Sequence, residues 1–395
     1  MTKIQAQQTL THSSVVVWNR FSIVYSLAFC LNLMAAPLKA YISETMPWNI
    51  APESPNLAVE PYDNATLQYF QTLASSAPSS RAFVQDSSGF VFRKILYLPD
   101  AIDESDCFDS LQRFPIVAYY SAGFQQFVCD FLSQNKSTRN DGFQCQAIMM
   151  LGVSTMKYCF WMTLQDRTSS RYEVAVAGTT WEPPVFAWIK FVARLALGIY
   201  VGHQAWVHYY RHFRCLALNL TSLGIPGPFI KYEIYFGDAT YFILSRPFVT
   251  LIFVLEFYLS IAYIGLACVR CSQLEDGMQF FLGCLYASRA VCFAYFVMRY
   301  ATFAIKRFQW ETFGRAIDPG LLALAAGLYA GPFFYVLTNT PTVHFVIWLN
   351  RVWVSPSLHG HAIEVLLLYD FIIGISATPL FHELQIHLSP SSVSF

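Results

Sequence analysis

The chain has 395 residues, of which 55% are hydrophobic, 17% aromatic and only 13% charged. A soluble domain carries about 25% charged residues, so this composition excludes an ordinary soluble protein and indicates a polytopic membrane protein. Lysine and arginine together number 25, as do aspartate and glutamate, and no run of basic residues stands out. Nucleic acid is therefore not an expected partner, whereas the lipid bilayer is.

The first apolar stretch, Phe21 to Leu38, follows a polar N-terminus with Lys3 and Arg20. It is either a signal-anchor or a cleaved signal peptide. The apolar run is long for a cleaved signal and MAAPLKA is only a fair match to a cleavage site, so a retained signal-anchor is favoured. Residues 1–40 are accordingly expected to form a cytosolic N-terminus and one span.

The amino-acid composition changes at Tyr41, after which Pro, Ser, Asn and Asp recur in segments such as SSAPSSRAF and LPDAIDESD. These residues form the turns of a water-exposed domain. Residues 41–184 are therefore assigned to an extracytoplasmic domain, which at about 140 residues is long enough to fold around its own core.

Long apolar stretches return after this domain, and each has about 20 residues or more, enough to cross a hydrocarbon core of about 30 Å. They are residues 185–210, 247–269, 279–298, 319–338 and 362–381. The predicted fold is a mostly α, polytopic membrane helix bundle of about six spans, with a small α+β or β-containing domain between spans 1 and 2. Residues 343–354 are expected at the interface or in a re-entrant segment, and residues 382–395 in a cytosolic tail.

The segment MKYCFWMTLQDRTSSRYEVAVAG, Met156 to Gly178, decides the topology. Basic residues near span ends favour the cytosol. If residues 147–164 crossed the membrane, five basic residues would be cytosolic and eight outside; if they stay outside, the count becomes nine cytosolic to four. Aromatic and β-branched residues on both sides of DRTSS also favour a strand hairpin over the alternative, a poor span held by its neighbours.

Four of the ten cysteines fall in the predicted extracytoplasmic domain. An even number of cysteines in an oxidising compartment predicts two disulfides, with three pairings open. The four are Cys107, Cys129, Cys145 and Cys159.

Charged residues within predicted spans are the strongest functional signal, because each costs roughly 2.5–3.5 kcal/mol at the bilayer centre. Four lie at similar depth and are expected to face one another or a wet cavity: Arg194, Glu256, Arg289 and Asp370. One interpretation is a polar pathway or binding site, in which the carboxylates accept a cation or proton and the arginines hold an anion. The other is ion pairing that only fixes helix packing. Glu364 extends a polar path from Asp370 toward the outer surface.

The fifth predicted span contains Gly327 and Gly331, a small-xxx-small pattern that lets helix backbones approach closely. This pattern predicts packing within the chain, with a homo-oligomer contact as the alternative. Pro332 follows and predicts a kink.

Enzyme motifs are weak. His208 and His212 have the spacing of two metal ligands on one helical face, as in the HxxxH boxes of membrane di-iron hydroxylases and desaturases. The other histidine clusters, at residues 359–361 and 382–387, have different spacing and are predicted on opposite sides of the membrane. Cys268-Val-Arg-Cys271 resembles a CxxC but has no second pair. No catalytic residue, metal site or cofactor is predicted.

Three classes of function remain for this integral protein of the plasma membrane or secretory pathway. A transporter or channel for a small molecule or ion is favoured by the charges within the spans. A cell-surface receptor or adhesion protein is the alternative suggested by the extracytoplasmic domain, and a membrane-embedded enzyme has the least support.

The topology predicts glycosylation at Asn64 and Asn135 but not at Asn219, because only the first two sequons lie outside the cytosol. A rival seven-span layout, with the N-terminus outside and the cysteine-bearing segment in the cytosol, satisfies the charge count equally. Glycosidase treatment shifts the gel mobility of a glycosylated protein. This shift should be reduced in the Asn64→Gln and Asn135→Gln variants and unchanged in Asn219→Gln. A shift lost only in Asn219→Gln would exclude the six-span layout.

Overall fold

The computed structural model describes residues 15–51, 64–98, 107, 111, 114–117, 120–135, 139, 141–150, 153–166, 170–223, 231–309, 319–341 and 362–364. The structure is mostly helical, with a β-sheet region formed largely by residues 83–179.

The chain enters the helical bundle through strand β1, Val15–Trp18, and helix α1, Arg20–Met34. The Asn19 side chain caps α1 by accepting a hydrogen bond from the Ser22 amide. The helix is followed by two short 3-10 helices, Ala36–Ile42 and Pro47–Asn49, and the chain bends by 63° between α1 and this segment. The first predicted span runs without interruption from Phe21 to Leu38, whereas the straight helix in the structure ends at Met34.

A six-stranded sheet follows. Its strands and the helices between them are α2 (Asn64–Ser75), β2 (Phe83–Gln85), β3 (Gly89–Tyr97), α3 (Ala122–Ser133), β4 (Gly142–Met150), β5 (Val153–Asp166) and β6 (Arg171–Thr179), and the last strand is β8 (Ala362–Glu364). The strand order is β2-β3-β6-β5-β4-β8. Strands β5 and β6 pair antiparallel, with Phe160 opposite Val176. The predicted hairpin between Met156 and Gly178 is confirmed, and this stretch is not a span.

The helices α2 and α3 pack on opposite faces of the sheet. Alternate residues of β5 point to opposite faces, so Phe160 packs on Phe124 of α3, with ring centroids 5.5 Å apart, while Trp161 packs in the cluster that includes Phe70 of α2. The domain thus has a hydrophobic core on each face of its sheet.

The eighth strand corrects the sequence prediction. Residues Ala362–Glu364 form β8, which pairs parallel with β4 and places Ile363 opposite Ile148. The predicted sixth span, residues 362–381, therefore begins in the sheet and not in the bundle. A short apolar run does not distinguish a strand from a helix, and an unpaired sheet edge offers backbone hydrogen bonds to an extended segment. Residues 365–381 and 343–354 lie outside the described part of the chain.

After the sheet, the helical region continues with a long helix, α4 (Pro184–Ala205), which passes through a π-helical turn, Trp206–Tyr210, into α5 (Arg211–Leu223). A 3-10 turn, Ser288–Ala290, lies between α9 (Gly277–Ala287) and α10 (Val291–Arg307). The elements are α4 (Pro184–Ala205), α5 (Arg211–Leu223), β7 (Lys231–Ile234), α6 (Thr240–Leu244), α7 (Pro247–Tyr258), α8 (Ile261–Cys271), α9 (Gly277–Ala287), α10 (Val291–Arg307), α11 (Pro319–Ala330) and α12 (Pro332–Thr338). Strand β7 pairs parallel with β1, so the start of the chain and the segment after α5 meet.

Three helices in the described residues are long and apolar enough to cross a membrane: Pro184–Ser222, Gly277–Arg307 and Gly320–Thr338. The count rises to five if each of two bent pairs is one span, which is fewer than the six predicted. One pair is α1 with Ala36–Asn49; the other is α7 with α8, which bend by 77°. The third predicted span, residues 247–269, is thus a broken helix.

The helix α4 is apolar outside and charged inside. Large hydrophobic residues are exposed on one face: Val185, Ile189, Val192 and Ile199. The buried face includes two cations, Lys190 and Arg194, which are 4% and 1% exposed. This inverted pattern is expected for a helix whose outer face contacts lipid. Three apolar helices of this kind support a location in a membrane.

Two disulfides join the four predicted cysteines, Cys107 with Cys129 and Cys145 with Cys159. Both pairings were left open by the sequence. Cys145 and Cys159 are direct partners across β4 and β5.

Replacing both Cys145 and Cys159 with alanine is expected to lower the stability of the sheet domain by about 3 kcal/mol, because the bond closes a short loop of the unfolded chain. Thermal unfolding of the purified protein measures the effect. A variant with Cys215, an exposed free cysteine, replaced by alanine is the control and should unfold like the wild type. An unchanged transition in the double variant would contradict the assigned pairing.

Candidate functional site

A buried carboxylate, Glu44, lies at the centre of a charge network among the helices. The bend after α1 turns Glu44 inward, and the residue is only 5% exposed. Its Oε2 accepts hydrogen bonds from Lys190 Nζ at 3.1 Å and from Arg194 Nη1 at 2.7 Å. Its Oε1 accepts from Arg194 Nη2 at 2.8 Å and from the Tyr286 hydroxyl at 2.7 Å. The pair with Arg194 is bidentate, the strongest geometry for these two groups.

Arg194 extends the network to the break between α7 and α8. Its Nε donates to Glu256 Oε1 at 2.6 Å, and its Nη2 also donates to Ser260 Oγ at 2.8 Å. The guanidinium lies 4.7 Å from the centre of the Tyr41 ring. Every nitrogen of this buried cation therefore has an acceptor, and one side chain connects three segments of the chain.

Arg289 binds the other oxygen of Glu256. Its Nη2 donates to Glu256 Oε2 at 2.5 Å, and the guanidinium lies 4.7 Å from the centre of the Tyr286 ring. Its Nη1 is buried without a hydrogen-bond partner and lies 3.6 Å from Glu44 Oε1. Arg289 is thus hydrogen bonded to one carboxylate through Nη2 and only within Coulomb range of a second.

The network is electrically balanced. Lys190 also pairs with Glu182, with 2.6 Å between Nζ and Oε2. The six charged residues are three acids and three bases: Glu44, Glu182, Glu256, Lys190, Arg194 and Arg289. An isolated ion costs several kcal/mol to bury, so this neutrality and the hydrogen bonds are what make the cluster tolerable away from water.

The structure brings three of the four predicted intramembrane charges, Arg194, Glu256 and Arg289, into contact. Asp370 lies outside the described residues. Glu364 is in β8, so its backbone belongs to the sheet and not to a span.

Sequence reasoning missed four members of the cluster: Glu44, Glu182, Lys190 and Tyr286. The sequence pattern places Glu44 in the extracytoplasmic domain, whereas in the structure it packs among the helices. One signal was available, because Lys190 precedes Arg194 by four residues and lies on the same helical face. Two buried cations on one face require acids beyond Glu256.

Two cavities border the network, and Glu256 lines both. The larger has a volume of about 250 Å³, and its polar lining includes Lys39, Asn32, Ser288 and Arg289. The smaller, about 110 Å³, is lined by Lys190 and Arg194 alongside apolar residues of α4 and α7. The carboxylate of Glu256 is therefore held by an arginine on each oxygen at the boundary of two spaces.

Another buried arginine, Arg270 on α8, connects the sheet domain to the network. Its Nη2 donates to Gln85 Oε1 of β2 at 2.6 Å, and its Nη1 donates to Ser43 Oγ at 2.9 Å. Ser43 directly precedes Glu44. We name the contact of Arg270 with Ser43 and Gln85 the junction. Nearby, Lys94 of β3 and Glu275 form a partly exposed ion pair at 3.2 Å.

The small residues of the fifth predicted span contact the same chain. A Cβ placed on Gly331 would lie 2.9 Å from Cys284 Sγ, so the absent side chain lets the α11–α12 segment approach α9. Gly327 faces Ser288, whose Cβ is 4.0 Å from the corresponding position. These contacts account for the pattern within one chain, and a homo-oligomer contact through Gly327 and Gly331 stays a prediction.

The histidine candidates do not form a described metal site. His208 lies within the π-helical turn and His212 follows it in α5. Within the described residues, no three His, Cys, Asp or Glu side chains group as metal ligands. The other two histidine clusters lie outside those residues.

No protein-family model matches the chain, and neither a curated protein nor a solved structure is similar to it.

Replacing Glu44 with Gln is expected to destabilise the protein by about 3–5 kcal/mol, because it removes the bidentate carboxylate partner of buried Arg194 and one of the two acids paired with Lys190. Thermal unfolding in detergent measures the loss. The matched control is Glu275→Gln, which removes an acid from a partly exposed pair and should cost about 1 kcal/mol or less. Equal losses in the two variants would contradict a central role for Glu44.

Proposed function

We propose that the protein is a membrane transporter or channel in which a small ion or polar solute passes Glu256. The observation that carries this proposal is the position of Glu256, a carboxylate within the helical bundle that lines two separate cavities. A charged group between two spaces is what a relay or an alternating-access site requires.

The ion pairs around Glu256 would allow Arg289 to exchange one carboxylate partner for another. Arg289 holds Glu256 at 2.5 Å, while its unbonded Nη1 faces Glu44 at 3.6 Å. A cation or proton that neutralises Glu256 removes the attraction for Arg289, and Glu44 is the nearest alternative acceptor. In this proposal, Arg289 moves from Glu256 to Glu44 when Glu256 is neutralised, which gives it one position for each state of Glu256. Transport needs a two-state element of this kind.

Structural ion pairing is the competing account. A neutral network in which most groups are hydrogen bonded can be retained for packing specificity alone. The two accounts differ in whether the charges can be replaced. Packing requires only complementary volumes, whereas transport requires the carboxylate itself.

A receptor is the second candidate, and the junction is the observation that favours it. A ligand that shifts β2 would move Gln85, and Arg270 connects Gln85 to Ser43 and hence to Glu44. Arg270 thereby links the sheet domain to the bundle.

The double variant Glu256→Leu with Arg289→Met tests the transport proposal. It removes one acid and one base, so the remaining network stays neutral and the variant is expected to fold. Charge movement is recorded from proteoliposomes adsorbed on a solid-supported membrane after jumps in pH or in sodium or chloride concentration. The wild type should give a current above that of protein-free liposomes, and the double variant should lose it while unfolding at a similar temperature.

The matched control, Lys94→Met with Glu275→Leu, removes a neutral ion pair outside the network and should retain the current. Equal signals from the wild type and the Glu256 double variant would contradict the transport proposal. The network would then be a packing device.

A further inference from the structure

Two free cysteines, Cys271 and Cys284, lie close together beside the junction. Cys271 is the last residue of α8 and Cys284 is on α9, and their sulfur atoms are 4.0 Å apart. Cys271 is 1% exposed, whereas Cys284 is partly exposed. The helices are consecutive, so the sulfurs meet across a helical hairpin.

Glycines on two sides leave room for these sulfur atoms. A Cβ on Gly283 would lie 3.0 Å from Cys271 Sγ, and a Cβ on Gly331 would lie 2.9 Å from Cys284 Sγ. Any larger residue at either position would press on one of the sulfurs. The pair therefore lies in a space bounded by backbone and free of intervening side chains at these two points.

The contact of Arg270 indicates which compartment Cys271 faces. Arg270, directly before Cys271, donates a hydrogen bond to Gln85 in the sheet domain, which contains two disulfides. Disulfides form and persist in oxidising compartments. Cys271 therefore lies at the end of α8 that faces the same compartment.

We infer that Cys271 and Cys284 form a reversible disulfide, a redox-sensitive modification site at the contact between the sheet domain and the charge network. The inference stands whether or not the protein transports an ion. The bond joins α8, which carries Arg270, to α9, which carries Tyr286.

The oxidant is a small disulfide such as glutathione disulfide, and the reaction proceeds by thiol–disulfide exchange. The thiolate of Cys284, the more exposed residue, attacks one sulfur of glutathione disulfide and releases one glutathione thiolate. The thiolate of Cys271 then attacks the Cys284 sulfur of the mixed disulfide and releases the second glutathione. Two protein thiols become one disulfide, and one glutathione disulfide becomes two glutathione thiols.

The sequence offers a direct assay on the full-length protein. Trypsin cleaves after Arg270 and Arg289, so one peptide, residues 271–289, contains both cysteines. The protein in detergent is equilibrated with glutathione disulfide or with reduced glutathione, alkylated under denaturing conditions and digested without reduction. The peptide should carry no alkyl group after oxidation and two after reduction.

The following tryptic peptide, residues 290–299, contains the buried Cys292 and is the internal control, with one alkyl group in both conditions. In the variant Cys271→Ser, Cys284 should retain glutathione as a mixed disulfide, because the resolving thiol is absent. Two alkyl groups on the wild-type 271–289 peptide in both conditions would overturn the inference. So would stable glutathione on Cys284 of the wild type.

Discussion

The bidentate pair between Glu44 and Arg194 is the interaction on which the arrangement of the helices depends. It joins the bend after α1 to α4, and Arg194 reaches on to Glu256 and Ser260 at the break between α7 and α8. A second donor to Glu44, Tyr286, brings α9 to the same point. Because each of these ions is costly to leave unpaired away from water, the segments are held in the one arrangement that satisfies all of them.

Much of the local structure follows from the sequence, because it depends on patterns within short segments. Turn residues between two segments rich in aromatic and β-branched residues predicted the β5–β6 hairpin. An even number of cysteines in a domain expected in an oxidising compartment predicted two disulfides. The length of the apolar stretches located the three helices that are long and apolar enough to cross a membrane. Charges placed mid-span identified Arg194, Glu256 and Arg289 as residues that must find partners inside the bundle.

The features that the sequence did not reveal depend on contacts between distant segments. Glu44 lies in a short stretch with proline and polar neighbours, which is typical of a water-exposed domain, and only the fold shows that the chain bends back into the bundle. The break after Tyr258 has no proline or glycine to mark it, but Glu256 and Ser260, on either side, both bind Arg194. Strand β8 pairs with residues more than 200 positions away. Hydropathy within one window contains no information on any of these contacts.

The junction gives the charge network a connection to the sheet domain, since Arg270 binds Gln85 and Ser43 at once. A buried guanidinium with only neutral hydrogen-bond acceptors is sensitive to small displacements, because lost hydrogen bonds to a buried cation are costly. Movement of the sheet and rearrangement of the network are therefore expected to be coupled.

A double-mutant cycle on Glu44 and Arg194 tests the central claim most directly. Unfolding free energies of the wild type, Glu44→Gln, Arg194→Gln and the double variant are measured by denaturant titration in mixed micelles. If the pair organises the bundle, the double variant should be more stable than the sum of the single losses implies, with a coupling energy of about 2 kcal/mol or more. Additive losses, within about 0.5 kcal/mol, would contradict the claim.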